Sequence, residues 1–384
     1  MIGASARAAA QSALRAGYRP WCIDMFADRD LREAAPVRRV PAGTYPAGIL
    51  KLLQDGDVPA EAPVLFTGAM ENHLDIVQAI AMQRELLTSG VEAMRAVRDP
   101  EALASMPAFE HVHPCRAWRK ASLGWRLSQR WLGGKFAGLR VIKPLRSAGG
   151  KRVRLWHRGA RVTGDEYLQQ YIQGQPIAAV YNSDGWSARL LGVTRQIIGD
   201  AALGAEGFEY SGSIGPIELS APQRSGLSRL GVALAQRFDL RGVFGVDAVV
   251  NADGIIWPVE VNPRYTASVE VIERGGGVAA LRSDPLSPGE RAGVRGLPDE
   301  EGTRIAHVRS DMVGKAYVYA RQDGVVPDLT TLFDSDTVAD IPDAGSPVRA
   351  GQPICTLFAG GDSESAVLTA LHDQARTLYT RMQS

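Results

Sequence analysis

The 384-residue chain is 45% hydrophobic and 22% charged, close to an average globular protein, and its length predicts two or three domains. Its 43 basic and 42 acidic residues nearly cancel, so no strong global field is available to hold nucleic acid or an anionic membrane. We therefore expect neither among its partners. The three cysteines lie far apart in sequence, which argues against a secreted disulfide framework and favours a cytoplasmic protein.

The first ninety residues alternate strand-like and helix-like segments, which predicts a parallel sheet covered on both faces. Strands are predicted at 1–3, 21–24, 37–40 and 63–67, and helices at 5–16, 47–54 and 72–87, with Ser5 as an N-cap. Only Met1 and Ile2 precede the first glycine, which is short for a buried strand. We expect apolar residues ahead of Met1 in the natural chain.

From residue 140 onward the pattern changes to strands joined by turns. Strands are predicted at 141–144 and 151–157, followed by a hairpin of 177–182 with 188–197 around Asp184-Gly185. A helix at 222–237 precedes a second hairpin, 242–250 with 255–261, around Asp253-Gly254. Residues 283–302 are typical of a linker, 303–360 of short strands and turns, and 364–381 of a closing helix.

One candidate phosphate site is the segment V-I-K-P-L-R-S-A-G-G at 141–150. Lys143 ends a predicted strand four residues before Ser147, where a Ser-Ala-Gly-Gly turn begins. Glycines allow backbone N–H groups to approach an anion closely, and lysine supplies a compact charge for a phosphate oxygen. A plain hairpin turn beside a surface lysine is the alternative interpretation.

The strongest candidate is G-V-D at 245–247 with W-P-V-E-V-N-P-R-Y at 257–265. The predicted turn brings Asp247 close to Glu260, and Asn262 and Arg264 continue the face of Glu260 at period two. Two carboxylates and an amide are oxygen ligands suited to Mg²⁺ with substrate phosphates, and an arginine beside them can hold a phosphoryl or carboxylate group. A surface ion-pair ladder is the alternative, but apolar residues flank Glu260 on both sides.

Taken together, these clusters resemble the ATP-grasp superfamily: a strand lysine, a Gly-rich loop, the segment Q-Q-Y-I-Q-G at 169–174, then an acid before E-x-N-x-R. Further segments resemble one branch of ATP-dependent carboligases related to biotin carboxylase and carboxyaminoimidazole synthetase. They are G-A-S-A-R-A-A-A at 3–10, T-G-A-M-E-N-H at 67–73, Y-S-G-S-I-G-P at 210–216, V-N-P-R-Y-T-A-S-V-E at 261–270 and A-D-I-P-x-x-G at 339–345. Members of this branch are often associated with tetrahydromethanopterin or methanofuran-type cofactor pathways.

The resemblance implies an α/β (α+β) fold in three parts. They are a Rossmann-like pre-ATP-grasp domain at 1–95, an ATP-grasp domain at 96–285 hinged near 169–174, and a β-rich C-terminal domain at 300–384. It implies ATP and Mg²⁺ (or Mn²⁺) as cofactors. By motif position, the implied roles are phosphate binding and catalysis for Lys143, nucleotide binding for Ser147, Gly149, Gly150, Gln169, Gln170, Tyr171, Ile172 and Gln175, metal binding for Asp247, Glu260 and Asn262, and catalysis for Arg264.

Departures from the family pattern accompany these assignments. Amides stand at Gln170 and Gln175, where the family usually carries acids, and the second phosphate lysine has two candidates, Lys120 and Lys135. Substrate contacts are expected from four residues that follow predicted strand ends of the first domain: Ser5, Arg7, Glu71 and Asn72. Their alternative roles are helix capping for Ser5 and Asn72 and surface charges for the other two.

The resemblance implies an ATP-dependent ligase that joins a small-molecule carboxylate to an amine or thiol through an acyl phosphate. The alternatives are a biotin- or bicarbonate-dependent carboxylase and a nucleotide-binding sensor or scaffold without turnover. A zinc site at H-V-H-P-C, 111–115, lacks a second Cys/His pair, and a dinucleotide site after Gly3 lacks its further glycines. A homodimer is left open.

Overall fold

The computed structural model describes residues 1–55, 58–119, 139–276, 279–281 and 312–383. In this part of the chain, the strands form two antiparallel sheets, a short parallel sheet and a two-stranded ribbon. The helices of at least five residues are Arg7–Arg15, Arg29–Ala34, Gly48–Gln54, Leu74–Ala81, Val91–Val97, Pro100–Ala104, Ala221–Phe238, Ser268–Arg274 and Glu364–Gln383. Short 3₁₀ turns cover Met70–Asn72, Ala201–Leu203 and Leu329–Thr331.

The N-terminal residues form the predicted parallel sheet. Its strands are β1 (Ile2–Gly3), β2 (Cys22–Asp24) and β3 (Val37–Arg39), in the order β1-β2-β3. Single parallel bridges extend it, from Ile2 to Phe66 and from Val64 to Leu86. The alternation of strands with helices and the parallel pairing are confirmed. Both follow from apolar residues such as Ile2 and Ile23, which are almost fully buried between the helices.

Two local predictions in this region are wrong. The helix expected over 72–87 ends at Ala81, because the next backbone groups extend the sheet instead: Leu87 N–H donates to Val64 O over 2.8 Å. Ser5 is not a helix cap. Ala6 holds the cap position, and its N–H donates to an Asp24 carboxylate oxygen over 2.5 Å, while the Ser5 hydroxyl faces Asp340.

The smaller antiparallel sheet holds the predicted phosphate lysine. Its strands are β4 (Ala117–Arg119), β5 (Arg140–Pro144), β6 (Arg154–Leu155) and β7 (Glu166–Gln170), in the order β4-β7-β5-β6. The strand expected over 151–157 is reduced to β6, because Gly149, Gly150 and Arg152 all take positive φ angles and turn the chain. Lys120 and Lys135 lie outside the described residues.

The large sheet carries the rest of the candidate site. It runs β12-β11-β8-β9-β10-β13-β17-β15 in the described part of the chain. Its strands are β8 (Gln175–Asp184), β9 (Ala188–Ile198), β10 (Tyr210–Gly215), β11 (Arg241–Val250), β12 (Ile256–Asn262), β13 (Met312–Tyr319), β15 (Val338–Ala339) and β17 (Pro353–Gly361). The ribbon pairs β14 (Gly324–Val325) with β16 (Pro347–Val348). Both predicted hairpins, β8–β9 and β11–β12, and the closing helix are confirmed.

The C-terminal strands belong to this same sheet. β10 pairs with β13 in antiparallel register, with Ile214 opposite Gly314. One hydrophobic cluster unites Ile197 and Ile214 with Leu357 and Leu371. Sheet and core therefore continue from the central strands into residues 312–383, which belong to the predicted C-terminal domain at 300–384. The predicted linker at 283–302 lies outside the described residues. Among the described helices, none is long and apolar enough to cross a membrane.

Candidate active site

The β11–β12 hairpin brings the predicted carboxylates together. Asp247 and Glu260 are directly opposite each other in the antiparallel register, and Asn262 is opposite Gly245. The register shifts just after Asp247, where a bulge places an extra residue in β12. The hairpin thus holds two carboxylates side by side on rigid strands, as expected from the turn at Asp253-Gly254.

Asp247 is held by two amides. Gln196 Nε2 donates to Asp247 Oδ1 over 2.9 Å, and Asn262 Nδ2 donates to Asp247 Oδ2 over 3.0 Å. Burial and the neighbouring charge of Glu260 raise the pKa of Asp247 from 3.8 to about 6. The hydrogen bond from Asn262 favours the ionised form, but burial and the Glu260 charge outweigh it.

Glu260 is bound by a cation at each oxygen. Lys143 Nζ lies 3.2 Å from Oε2, and Arg98 Nη1 lies 2.5 Å from Oε1. Burial would raise the pKa of Glu260, but the two positive charges outweigh burial and lower it from 4.5 to about 2. The carboxylate is therefore ionised throughout the physiological range.

Lys143 lies in β5 beneath the ring of Tyr167. Its side chain is 11% exposed, and Nζ is 5.9 Å from the Tyr167 ring centroid. Burial would lower the pKa of Lys143, but Tyr167 and the Glu260 carboxylate outweigh burial and raise it. The strand therefore presents a buried ammonium group directly to the β11–β12 hairpin.

Arg264 is oriented by a residue of the N-terminal region. Arg264 Nε lies 3.0 and 2.9 Å from the two Glu71 carboxylate oxygens, and Nη1 donates to Tyr265 O over 3.1 Å. Glu71 stands in the 3₁₀ turn Met70–Asn72, and its side chain is only 1% exposed. This buried pair fixes the guanidinium next to Asn262, whose Oδ1 lies 3.5 Å from Arg264 Nη2.

The Gly-rich loop rests on two other parts of the chain. Asn72 Nδ2 donates to Ser147 O over 3.1 Å, and Tyr210 N–H donates to Gly149 O over 3.0 Å. Gly150 has φ +74°, and a Cβ there would lie 1.9 Å from Phe208 O. Only glycine fits such a position, so the loop lies close to the 208–210 backbone.

Residues 169–175 connect the two antiparallel sheets. Gln169 is buried in β7 and donates through Nε2 to Val259 O over 2.8 Å, which ties the small sheet to β12. Gln170 ends β7, Tyr171 and Ile172 follow it, and Gln175 begins β8. The segment expected to be a hinge therefore lies between the sheets, next to the hairpin that carries Glu260.

The other expected substrate residues are divided between two places. Glu71 and Asn72 reach the site, through Arg264 and Ser147. Arg7 is 1% exposed and pairs with Glu270 and with Asp340, so a contact with substrate would require this cluster to open. Ser5 lies beside the same Asp340, with its Oγ 3.4 Å from the carboxylate.

Sequence analysis did not identify Arg98, which contacts Glu260, or Gln196, which contacts Asp247. Arg98 follows the helix Val91–Val97, and the next helix begins at Pro100 with the Asp99 side chain accepting from Glu101 N–H. The partners Arg98 and Glu260 are 162 positions apart, and no periodic pattern connects them. The local sequence V-R-D-P at 97–100 indicates only that one helix ends and another begins on either side of this arginine.

The donor chemistry suits Mg²⁺ or Mn²⁺. Asp247, Glu260 and Asn262 offer two carboxylates and an amide, which Mg²⁺ uses when substrate phosphates complete its coordination. No group of three His, Cys, Asp or Glu side chains in the described residues could hold a metal by itself. The residues thus fit a metal that arrives with a phosphate ligand.

Comparison with known proteins identifies the domain that carries this arrangement. Residues 136–268 match the family model described as the ATP-grasp domain. This stretch of the chain is thus similar to the ATP-grasp domain. The match begins before Lys143 and ends after Arg264, so it spans β5, β6 and β7 of the small sheet and the β11–β12 hairpin. Among curated proteins, no sequence matches.

Solved structures share the ATP-grasp fold over almost the whole chain. The biotin carboxylase domain of Hydrogenobacter thermophilus 2-oxoglutarate carboxylase, in complex with MgADP and bicarbonate, is 13% identical with TM-score 0.63 over 96% of this chain and 87% of its own. L-amino acid ligase from Bacillus licheniformis is 14% identical with TM-score 0.61 over 98% and 96%. N5-carboxyaminoimidazole ribonucleotide synthetase from Thermotoga maritima is 12% identical with TM-score 0.60 over 98% and 97%. The chain spans 36% of the longer Rhizobium etli pyruvate carboxylase.

Proposed function

We propose that the protein is an ATP-dependent ligase that joins a small-molecule carboxylate to an amine or thiol and releases ADP and phosphate. The observation that carries this proposal is the cluster of charged side chains at the β11–β12 hairpin. Asp247 and Glu260 are opposite each other in the hairpin. Lys143 and Arg98 contact Glu260, and Arg264 contacts Asn262. Alternating carboxylates and cations suit a site that positions phosphates together with a metal.

Each part of this site has a role in the proposed reaction. Lys143 would bind a phosphate oxygen, and the backbone N–H groups of the Ser147–Gly150 loop would cover the phosphates. Asp247, Glu260 and Asn262 would hold Mg²⁺ or Mn²⁺, which neutralises phosphate charge when bound. The connection between the sheets, Gln169 to Gln175, would contact the nucleoside.

The proposed chemistry requires positioning more than covalent help from the protein. An oxygen of the substrate carboxylate attacks the terminal phosphorus of ATP, and the bond to the ADP oxygen breaks. The amine nitrogen then attacks the acyl carbon of the acyl phosphate, phosphate leaves, and the amine proton passes to solvent. Arg264, held by Glu71 and pointing along the face of Asn262, would bind the carboxylate or its phosphate as a fork.

Residues 70–72 support a substrate site on the N-terminal side. Glu71 contacts Arg264, and Asn72 contacts both the Ser147 carbonyl and Arg98. The N-terminal domain therefore approaches the phosphate loop and the candidate catalytic arginine at one place. A carboxylate bound there would lie next to the transferred phosphoryl group. A place in tetrahydromethanopterin or methanofuran-type cofactor biosynthesis stays a prediction.

A bicarbonate-dependent carboxylation is the second candidate. One neighbour of the same fold is a biotin carboxylase domain in complex with MgADP and bicarbonate. Bicarbonate would be phosphorylated by the same charge arrangement, so the two candidates differ in the acceptor and share the phosphate-binding residues.

The proposal is tested by measuring ADP release from purified protein with MgATP. Amino acids and pterin or furan cofactor precursors are supplied as carboxylates and amines, and bicarbonate is supplied in a separate arm. We expect ADP formation that depends on one carboxylate and one amine or thiol. Lys143→Ala should lower it by roughly 10² to 10³, the usual loss for one charge-stabilising group. Turnover with bicarbonate alone would favour the carboxylase, and absence of MgATP binding would overturn both.

A further inference from the structure

Acidic residues are absent from one long stretch of the sequence. Residues 111–164 contain 14 lysines and arginines and no aspartate or glutamate, whereas the other 330 residues contain 29 basic and 42 acidic residues. The near-neutral chain therefore combines a basic stretch with an acidic remainder. The described part of the basic stretch supplies β4, β5 and β6, so the small sheet carries much of the positive charge.

Six exposed cations form a continuous surface at one edge of this sheet, which we call the basic strip. They come from the Gly-rich loop, from β6 and from the turn after it: Arg146, Lys151, Arg152, Arg154, Arg158 and Arg161. Hydrogen bonds connect these three parts. Arg152 Nη2 donates to Arg146 O over 3.2 Å, and Arg154 Nη2 donates to Arg161 O over 3.2 Å.

Only two members of the basic strip have a carboxylate partner in the described part of the chain. Arg154 donates to both oxygens of Glu166, over 2.6 and 3.2 Å, and Arg152 lies 3.6 Å from Asp165. The hydrogen bond from Arg154 lowers the pKa of Glu166 from 4.5 to about 2, so the strip stabilises an ionised carboxylate. The sequence from 111 to 164 offers no acid that could neutralise the other four cations.

The β6 part of the basic strip lies on the opposite face of the small sheet from Lys143. Arg154 is opposite Ile142 in β5, and Ile142 packs in the apolar cluster with Val162. Lys143 is the next residue of β5, so its side chain points to the other face, where it contacts Glu260. A nucleotide on the Lys143 face would therefore leave this part of the strip to another partner.

β6 is an end strand of the small sheet, which has the order β4-β7-β5-β6. Both of its residues are exposed, Leu155 by 50%. An end strand can pair with an extended segment of another chain through its backbone groups, and the side chains beside it determine which segments fit. Arginines suit carboxylates, because the guanidinium can donate to both oxygens at once.

A short acidic segment suits this surface better than a nucleic acid. The partly buried rings of Trp118 and Trp156 lie 5.6 and 5.7 Å from the Arg140 guanidinium, so they are already used within the sheet and do not offer a base-stacking surface. The acidic remainder of the chain would also repel a long polyanion. We propose that the basic strip is a docking surface for an acidic segment of another protein, which pairs with β6 as an additional strand.

The test measures, by fluorescence anisotropy, how a peptide of alternating glutamate and valine binds to the full chain. Valine favours an extended strand, in which the carboxylates share one face. A peptide of glutamate and alanine with the same length and charge is the comparison, because alanine favours a helix. We expect the valine peptide to bind about tenfold more tightly, as for one or two added backbone hydrogen bonds, and to slow hydrogen exchange at the amides of β6.

Arg158→Glu combined with Arg161→Glu reverses two charges of the basic strip and leaves Lys143 and the Gly-rich loop intact. This variant should bind the valine peptide about tenfold more weakly, while its thermal unfolding and its MgATP binding match the wild type. Arg19→Glu combined with Arg224→Glu is the matched control, since both arginines are exposed and lie outside the basic stretch. The control should leave peptide binding unchanged.

Several results would overturn the proposal. Equal affinity for the two peptides would exclude pairing with β6, and equal losses in the variant and the control would exclude the basic strip. A single-stranded oligonucleotide of the same charge that binds more tightly than the valine peptide would assign the strip to nucleic acid. Salt-dependent association of the chain with itself, lost in the variant, would assign it to the acidic remainder of a second copy. None of these measurements depends on turnover, so they leave the proposed function to its own test.

Discussion

Replacing Glu260 with glutamine tests the electrostatic account of the site through protein stability. The carboxylate stabilises the folded state because Lys143 and Arg98 each bind one of its oxygens. Their charges lower its pKa from 4.5 to about 2 despite burial. A lowered carboxyl pKa means that the folded state favours the ionised form, so this stabilisation is present above pH 4.5 and is lost as pH falls toward 2.

The size of the effect follows from the shift in pKa. Lowering the pKa of Glu260 from 4.5 to about 2 corresponds to about 3 kcal/mol of stabilisation near pH 7, and less than half of that remains at pH 3. Because 27% of the Glu260 side chain is exposed, solvent screening makes this the upper end. We expect Glu260→Gln to lower the free energy of unfolding by about 1 to 3 kcal/mol at pH 7, and by progressively less toward pH 3.

Urea unfolding at pH 7, 4 and 3 measures this difference. Glu92→Gln is the control, because the Glu92 side chain is 82% exposed and its pair with Arg95 lies on the surface. The control should match the wild type at each pH. A difference between wild type and Glu260→Gln that stays constant from pH 7 to pH 3 would refute the argument that the two cations lower the pKa.

Three further substitutions test other parts of the site. Asp247→Asn should raise the free energy of unfolding by about 1 to 3 kcal/mol at pH 8, because burial and Glu260 raise the pKa of Asp247 to about 6. Urea unfolding at pH 8 and pH 4 should show that most of this gain disappears at pH 4. Arg264→Lys should lower kcat/KM for the carboxylate by roughly 10² or more, because lysine cannot reproduce the Nε contacts to Glu71, and unchanged kinetics would contradict this role. Gly150→Ala should raise the KM for ATP far more than Gly149→Ala, because both positions have positive φ but only Gly150 would bring a Cβ against Phe208 O.

Local sequence patterns predicted the elements that carry the site. The turn dipeptides at 184–185 and 253–254 identify the two hairpins because the strands they join are adjacent in sequence, and strand periodicity places Asp247 opposite Glu260. The local strand pattern at 141–144 likewise predicts that Lys143 lies at the end of a strand, which is β5. No single motif predicts the ATP-grasp fold; the prediction depends on the order of several motifs along the chain.

Contacts between distant parts of the chain could not be predicted in this way. Arg264 and Glu71 are 193 positions apart, and Arg98 and Glu260 are 162 apart. Neither pair belongs to one hairpin or one helix, so no period connects the partners. The pairing of β10 with β13 has the same character, since it joins two segments whose separate patterns each suggest only a short strand. The long-range pairs determine which charges meet at the site.

The nucleotide released during turnover, ADP or AMP, distinguishes two ways of activating a carboxylate. The groups to which we assign phosphate and metal binding lie together, around Lys143 and the carboxylates of the β11–β12 hairpin. Such a cluster suits attack on the terminal phosphorus, with ADP as leaving group. Attack on the phosphorus next to the ribose would instead release AMP and pyrophosphate.

Chromatography of the nucleotides during turnover separates the two routes. We expect ADP and phosphate in equal amounts with any active carboxylate, and no AMP. Hydroxylamine added during turnover should intercept the acyl phosphate as a hydroxamate, because this nucleophile attacks the activated acyl carbon without needing the amine site. Lys143→Ala should reduce hydroxamate and ADP in parallel, since both depend on the first transfer. AMP as the nucleotide product would overturn the assignment of Lys143 to the terminal phosphate, and with it the acyl phosphate mechanism.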